Sequence, residues 1–247
     1  MSKAVVCTGR EREFAGDAEV THVAVADGLT EIKQRAFQGC KGLTNLSFLK
    51  GSTITTVGQL AFSRSSVITL LGMEGVRKIG DYAFYDCTDL RTIEGLGCEE
   101  MDTHCFYKCT LLQSMKGWPA SMTVIPACCF RNCTGMTTVD CDLSHVTSIG
   151  VNWQGYHAFT GCTSLLPPSL SAEGADPAAV LAFLKRKAFL ERAPLRYAVY
   201  ACVRRARDQE GQPRTLESPT SLAFALAALP PDMNRVIVEF LLGEVPR

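Results

Sequence analysis

Six phenylalanines, Phe37, Phe62, Phe84, Phe106, Phe130 and Phe159, recur at steps of 25, 22, 22, 24 and 29 residues. The same neighbours return around each. A small residue precedes each ring: Ala36, Ala61, Ala83, Cys105, Cys129 and Ala158. Three residues after it stand Cys40, Ser65, Cys87, Cys109, Cys133 and Cys162. Six after come Leu43, Ile68, Leu90, Leu112, Met136 and Leu165, and nine after come Leu46, Leu71, Ile93, Met115 and Val139. Five before stand Ile32, Val57, Ile79, Met101 and Ile125, with an insertion near Val151 to Tyr156 in the sixth copy. Phe14, Asp17, Val20 and Val23 form a worn first copy. A unit this short cannot bury its own apolar face, so consecutive units must stack and share one core. Stacking at about the 4.8 Å strand spacing turns each matched position into a ladder, with the rings at its centre.

The consensus is I-x-x-x-A-F-x-x-C-x-x-L-x-x-I, cleanest in residues 79–93, IGDYAFYDCTDLRTI. It resembles the BspA-like (Treponema pallidum type) leucine-rich repeat family over about two thirds of the chain. The resemblance implies a right-handed solenoid with one short strand per coil and a mostly irregular or 3-10 opposite side. The expected organisation is an N-terminal cap with a degenerate first coil (1–22), a solenoid (23–170) and an α-helical C-terminal region (171–247).

The chain carries 12 cysteines. No CxxC occurs, and paired CxxC spacing is what makes a zinc site specific, so no metal or other cofactor is expected. Cys40, Cys87, Cys109, Cys133 and Cys162 share one inward rung, where a free thiol behaves as a small hydrophobe. Parallel Cβ vectors on stacked coils suit a disulfide poorly. A reduced ladder is expected. No apolar run reaches membrane-spanning length and no secretory leader is apparent, which leads to the expectation of a cytoplasmic protein. Formal net charge is zero, with 25 basic and 25 acidic residues, against a protein that coats nucleic acid or an anionic membrane.

Side chains alternate along a strand, so the residues flanking the last apolar position of L-x-x-I face outward. Coil by coil these are His22 and Ala24, Asn45 and Ser47, Leu70 and Gly72, Thr92 and Glu94, Ser114 and Lys116, Thr138 and Asp140. From Asn45 onward they form the candidate partner-binding face, with Leu70 expected to be exposed on it. The expected partner is another protein, its identity open, and the expected state a monomer. Solenoids commonly recruit partners on such faces.

After Cys162 the repeat gives way to a Pro/Ser/Gly linker and helical punctuation, with Asp176 as N-cap and Pro177 at the first helical position. Pro194, Ser218-Pro219 and Pro230-Pro231 then separate further helical segments, and Gly243 ends the last. Residues 185–207 hold eight Lys/Arg interleaved with apolar residues, the pattern of solvated helix faces. Leu195, Val203, Arg204, Leu229-Pro230-Pro231 and Val236 to Leu242 resemble the outline of a SOCS box, and LPPDMNRVIVEFL is similar to the opening of an F-box. Either resemblance implies a substrate-receptor subunit of a ubiquitin ligase, the alternative to a plain interaction scaffold. Ala198-Val199 stand where the usual Leu-Cys pair of a SOCS box falls.

Searches for catalytic chemistry find no GxSxG, phosphate-binding loop, HExxH or kinase signature. His104 beside Cys105 or Cys109 is the one candidate base and nucleophile pair. Those cysteines fall on core rungs, where a thiol is inert unless its surroundings lower its pKa. The expectation is a non-enzymatic protein.

Overall fold

The computed structural model describes residues 3–26, 28–47, 53–71, 73–94 and 96–191. β1 (Lys3–Cys7) and β2 (Val20–Val25) pair in parallel at the N-terminal end. Each later coil then contributes strands to two ladders. The first runs through β4 (Asn45–Ser47), β6 (Thr69–Leu71), β8 (Thr92–Glu94), β10 (Ser114–Lys116) and β12 (Thr138–Asp140), all parallel, one strand per coil. The second is made of two-residue strands. β3 (Glu31–Ile32), β5 (Thr56–Val57), β7 (Lys78–Ile79) and β9 (Glu100–Met101) pair in order, and β11 (Val124–Ile125) pairs with β13 (Ser148–Ile149). The architecture is the stacked-coil solenoid that the repeat requires. The structure adds the second short strand, because the apolar residues five before the first four phenylalanines of the repeat, Ile32, Val57, Ile79 and Met101, also stack in register.

The rings form one continuous column. From Phe14 to Phe159, successive centroids lie 5.3 to 5.5 Å apart and adjacent planes differ by 18° or less. The six repeat phenylalanines are fully buried. Complete burial contributes roughly 1.5–3 kcal/mol per ring.

Six-residue turns carry the chain past each ring. The residues two before and two after the phenylalanine take positive φ: Arg35 and Gly39, Leu60 and Arg64, Tyr82 and Asp86, His104 and Lys108, Cys128 and Asn132. This alternation aims every second N–H along the solenoid axis. Tyr82, Phe84 and Asp86 donate to the carbonyls of Thr103, Cys105 and Tyr107 in the following coil, and Leu60, Phe62 and Arg64 to those of Asp81, Ala83 and Tyr85. The N–H groups between them close turns within their own coil, as from Ala83 to Gly80 and from Tyr85 to Tyr82.

Because these turn bonds donate from each coil to the next, the turn of the last coil is left with N–H groups to satisfy. The Phe159 N–H donates to Nδ1 of its own coil's His157 (3.1 Å), and the Gly161 N–H to the Ser171 carbonyl (2.8 Å) at the end of α1 (Pro168–Ser171). His157 Nε2 lies 3.0 Å from the Leu170 carbonyl. α2 (Pro177–Glu191) then completes the apolar end with Val180 and Leu184, both fully buried in the common core. Asp176 caps it as its position suggests, Oδ1 accepting from the Ala178 N–H (3.1 Å) and Oδ2 from that of Ala179 (3.2 Å). The chain divides into compact units of Met1–Ala188 and Phe189–Arg247, so α2 up to Ala188 belongs with the coils. The helical segments expected after Pro194 lie outside the described residues.

Candidate interaction face

The long ladder fixes which side chains share the strand face. Thr92, Ser114 and Thr138 are register partners in one column, and Glu94, Lys116 and Asp140 in the next. Asn45 and Thr69 continue the first column, Ser47 and Leu71 the second. Ile93, Met115 and Val139 between the columns are fully buried. The expected rows of charge are therefore brought together. Lys116 Nζ reaches Glu94 Oε1 at 2.7 Å. The Glu94 hydrogen bond, with the fields of Glu94 and Asp140 behind it, holds the ammonium above its ordinary pKa.

Leu70 is the exception. It is fully buried, in register with Leu46 and Ile93, and so belongs to the core rung and not to the face. The second coil lacks one residue between Ser65 and its next apolar rung. Val67, fully buried, fills the place that constant spacing assigns to Ile68, and Leu70 the place assigned to Leu71. The Thr44 carbonyl accepts from the Ile68 N–H at 2.7 Å and the Ile68 carbonyl from the Arg91 N–H at 2.8 Å, which fixes the shifted register. Thr69 and Leu71 are the flanking pair of this coil, not Leu70 and Gly72.

With the register corrected, the two columns differ in character. The first reads Asn, Thr, Thr, Ser, Thr, all small and polar. The second reads Ser47, Leu71, Glu94, Lys116, Asp140, a different residue type in every coil.

The cysteines do more than fill space. Cys40, Cys87, Cys109, Cys133 and Cys162 each direct Sγ at the phenylalanine carbonyl of the preceding coil, at 3.0 to 3.2 Å. In the one coil with serine, Ser65 Oγ instead donates to the Phe62 carbonyl at 2.6 Å. The rung thus selects a small side chain with a donor proton. The eleven described cysteines are buried free thiols. Burial pushes Cys87 up to about 12, and raises Cys105, Cys109 and Cys162 well above the ordinary range. His104 and Cys105 do not form a base and nucleophile pair. His104 stacks on Tyr82 at 4.4 Å and bonds Thr103 Oγ1 at 2.9 Å, while Cys105 Sγ turns inward to the Asp102 carbonyl at 2.9 Å.

Sequence reasoning missed a set of side chains on the turns: Tyr82, Tyr85, Tyr107, Arg131 and Tyr156, in mutual ring and cation contact. Their signal was present in the columns beside each phenylalanine, which the consensus treats as unconstrained. Leu195, Val203, Arg204 and the 229–242 stretch that carry the SOCS-box and F-box outlines lie outside the described residues. No helix among the described residues is long and apolar enough to cross a membrane.

A parallel ladder of one main strand per coil, laid over a stacked phenylalanine column, defines a leucine-rich-repeat solenoid. The family model of the BspA type leucine rich repeat region matches residues 10–137 and 73–166, in six copies, and the chain belongs to this family. Among solved structures it is similar to the T. pallidum leucine rich repeat protein at 24% identity and TM-score 0.52, covering 68% of this chain and 82% of that one. It is also similar to a leucine rich cell surface protein of Faecalibacterium prausnitzii at 22% identity and TM-score 0.44, covering 70% and 49%. No curated protein matches the chain.

Proposed function

We propose that this protein is a non-enzymatic interaction scaffold that binds a protein partner through the strand face of its solenoid. The observation that carries the reading is the contrast between the two outward columns. Asn45, Thr69, Thr92, Ser114 and Thr138 keep one chemistry, while Ser47, Leu71, Glu94, Lys116 and Asp140 change in every coil beside an unchanging core rung. A rung under packing constraint holds its type, and a column free of it can carry specificity. Partner covering would desolvate the Glu94–Lys116 pair, and truncation there would cost affinity where folding hardly depends on an exposed ion pair. A monomer acting in the cytoplasm fits the eleven buried thiols, which persist where glutathione keeps cysteines reduced.

The test is a Glu94→Ala, Lys116→Ala, Asp140→Ala triple variant of the full chain, scored for melting temperature and for recovery of the proteins that the unaltered chain captures. Little change in melting temperature with lost partners is the expected outcome. Retention of every partner would remove function from this face.

A further inference from the structure

A second surface lies on the turns and not on the strands, and nothing in the strand-face reading uses it. Tyr85 and Tyr107 each follow the phenylalanine of their coil, and their ring centroids are 5.3 Å apart. The next coil places Arg131 in that column. Its guanidinium carbon sits 5.3 Å from the Tyr107 ring centroid and 3.6 Å from that of Tyr156. Lys108 Nζ lies 5.4 Å from the Tyr107 centroid and 5.9 Å from that of Tyr85. Cations and rings are therefore interleaved along four coils.

Three residues before Tyr156, Trp153 is 90% exposed. Its loop is held in place by backbone and side-chain bonds. Asn152 Oδ1 accepts from the N–H groups of Gln154 (3.0 Å) and Tyr156 (2.9 Å), the Asn152 N–H donates to the Tyr156 carbonyl (3.1 Å), and the Gly155 N–H returns to the Asn152 carbonyl (3.0 Å). A large apolar ring presented to water by an ordered turn contributes nothing to burial in this fold. Trp, Tyr and Arg are the residue types that anchor protein interfaces.

The charges say what kind of partner fits. Arg64, at the far end of the cluster, has Asp86 at 3.8 Å. Lys108 and Arg131 have no carboxylate within ion-pairing distance among the described residues, and buried Nε of Arg131 has no hydrogen-bond partner. Two cations held by ring faces alone are short of acceptors, and a carboxylate supplies them with charge-assisted bonds. Single-stranded nucleic acid fits less well. Base stacking needs free ring faces and a basic stripe, whereas here cations lie over the tyrosines and the chain carries no net charge.

We propose that Trp153, Tyr156, Arg131, Tyr107, Lys108 and Tyr85 form a docking surface for an acidic peptide segment of a protein partner. Carboxylates of that segment pair with Lys108 and Arg131, and an apolar side chain packs on Trp153. The surface is separate from the strand face, so either assignment can fail while the other stands.

The experiment pans a displayed library of random dodecapeptides on the full-length protein. The expected selection is rich in Asp and Glu around one apolar anchor. The best selected peptide, synthesised without tryptophan, should shift the emission of Trp153, which is distinguishable from buried Trp118. Its affinity should fall by about tenfold or more in Lys108→Glu and again in Trp153→Ala. It should be unchanged in the Glu94→Ala, Lys116→Ala, Asp140→Ala variant. Circular dichroism checks that each variant folds. No enrichment, enrichment of basic peptides, or equal affinity in the Lys108→Glu and Trp153→Ala variants overturns the proposal. Tighter binding of a twelve-nucleotide poly-thymidine or of phosphatidylserine vesicles than of the selected peptide overturns it as well.

Discussion

Phe84 has a ring stacked 5.4 Å from Phe62 on one side and 5.3 Å from Phe106 on the other, with no surface exposed. Truncating it opens a cavity that neighbouring rigid coils cannot close, and Phe84→Ala should cost about 3–5 kcal/mol in chemical denaturation. Lys33→Ala, which removes only a surface pairing with Glu31, should cost little in the same measurement. His157 yields a different expectation. The Phe159 N–H points at its Nδ1, so the proton resides on Nε2, bonded to the Leu170 carbonyl, and the ring is neutral. Burial lowers its pKa below the ordinary 6.5, opposed by the Leu170 bond. The unfolded chain therefore takes up a proton near pH 6.5 that the folded chain refuses until lower pH. Stability should be full above about pH 6.5 and decline as pH falls toward the folded pKa. His104, lowered by burial against the pull of Asp81, acts with the same sign. The contribution of His157 is thus read as the difference from His157→Asn, which keeps an acceptor near Nδ1 but cannot titrate. That variant should show a flatter melting-temperature profile between pH 7 and 5.

The strands of the two ladders, β3 to β13, are too short to be stable alone, two or three residues each, and gain their order from neighbours in the stack. Register is accordingly decided by the coil contacts and not by counting from the phenylalanine, as the one-residue shift at Val67 and Leu70 shows. The end elements obey the same rule. α2 is held to the coils by Val180, Leu181, Leu184 and Ala188, all buried, while Ala182 is exposed. Leu184→Ala should destabilise by about 2–5 kcal/mol in urea unfolding, and Ala182→Ser by a few tenths at most. Equal effects would mean that the helix does not cover the last coil.

For the whole solenoid, stability is a sum over coils and their interfaces, and an uncapped end exposes a full apolar cross-section. The consensus repeat ends near residue 170, but the core does not. A chain ending at residue 170 loses the burial of Val180 and Leu184, worth roughly 1.5–3 kcal/mol each. It should melt about 10 °C below a chain ending at residue 191, measured by calorimetry. Coincident melting curves would place the end of the folded unit at the end of the repeat.

Spacing determined the stacked architecture, the phenylalanine column and the inward cysteines, because a 22-to-25-residue unit must stack to bury its apolar positions, and the Asp176-Pro177 pair by itself marked the helix cap. The charged triad Glu94, Lys116 and Asp140 was legible for the same reason: period-two alternation sets the outward positions once a strand is located. Three things were settled only by the tertiary structure. A deleted residue moved Leu70 inward, since the hydrogen bonds of Thr44 and Arg91 outrank a constant count. Positive-φ residues made the turn bonds donate from each coil to the next, which gave His157 and α1 their roles at the last coil; side chains as unlike as Leu60, Tyr82 and His104 take this backbone, so no consensus marks it. The turn surface of Tyr85, Tyr107, Arg131 and Tyr156 joins residues 22 to 71 positions apart in sequence. No single repeat contains it, because it exists only where consecutive coils are stacked about 5 Å apart.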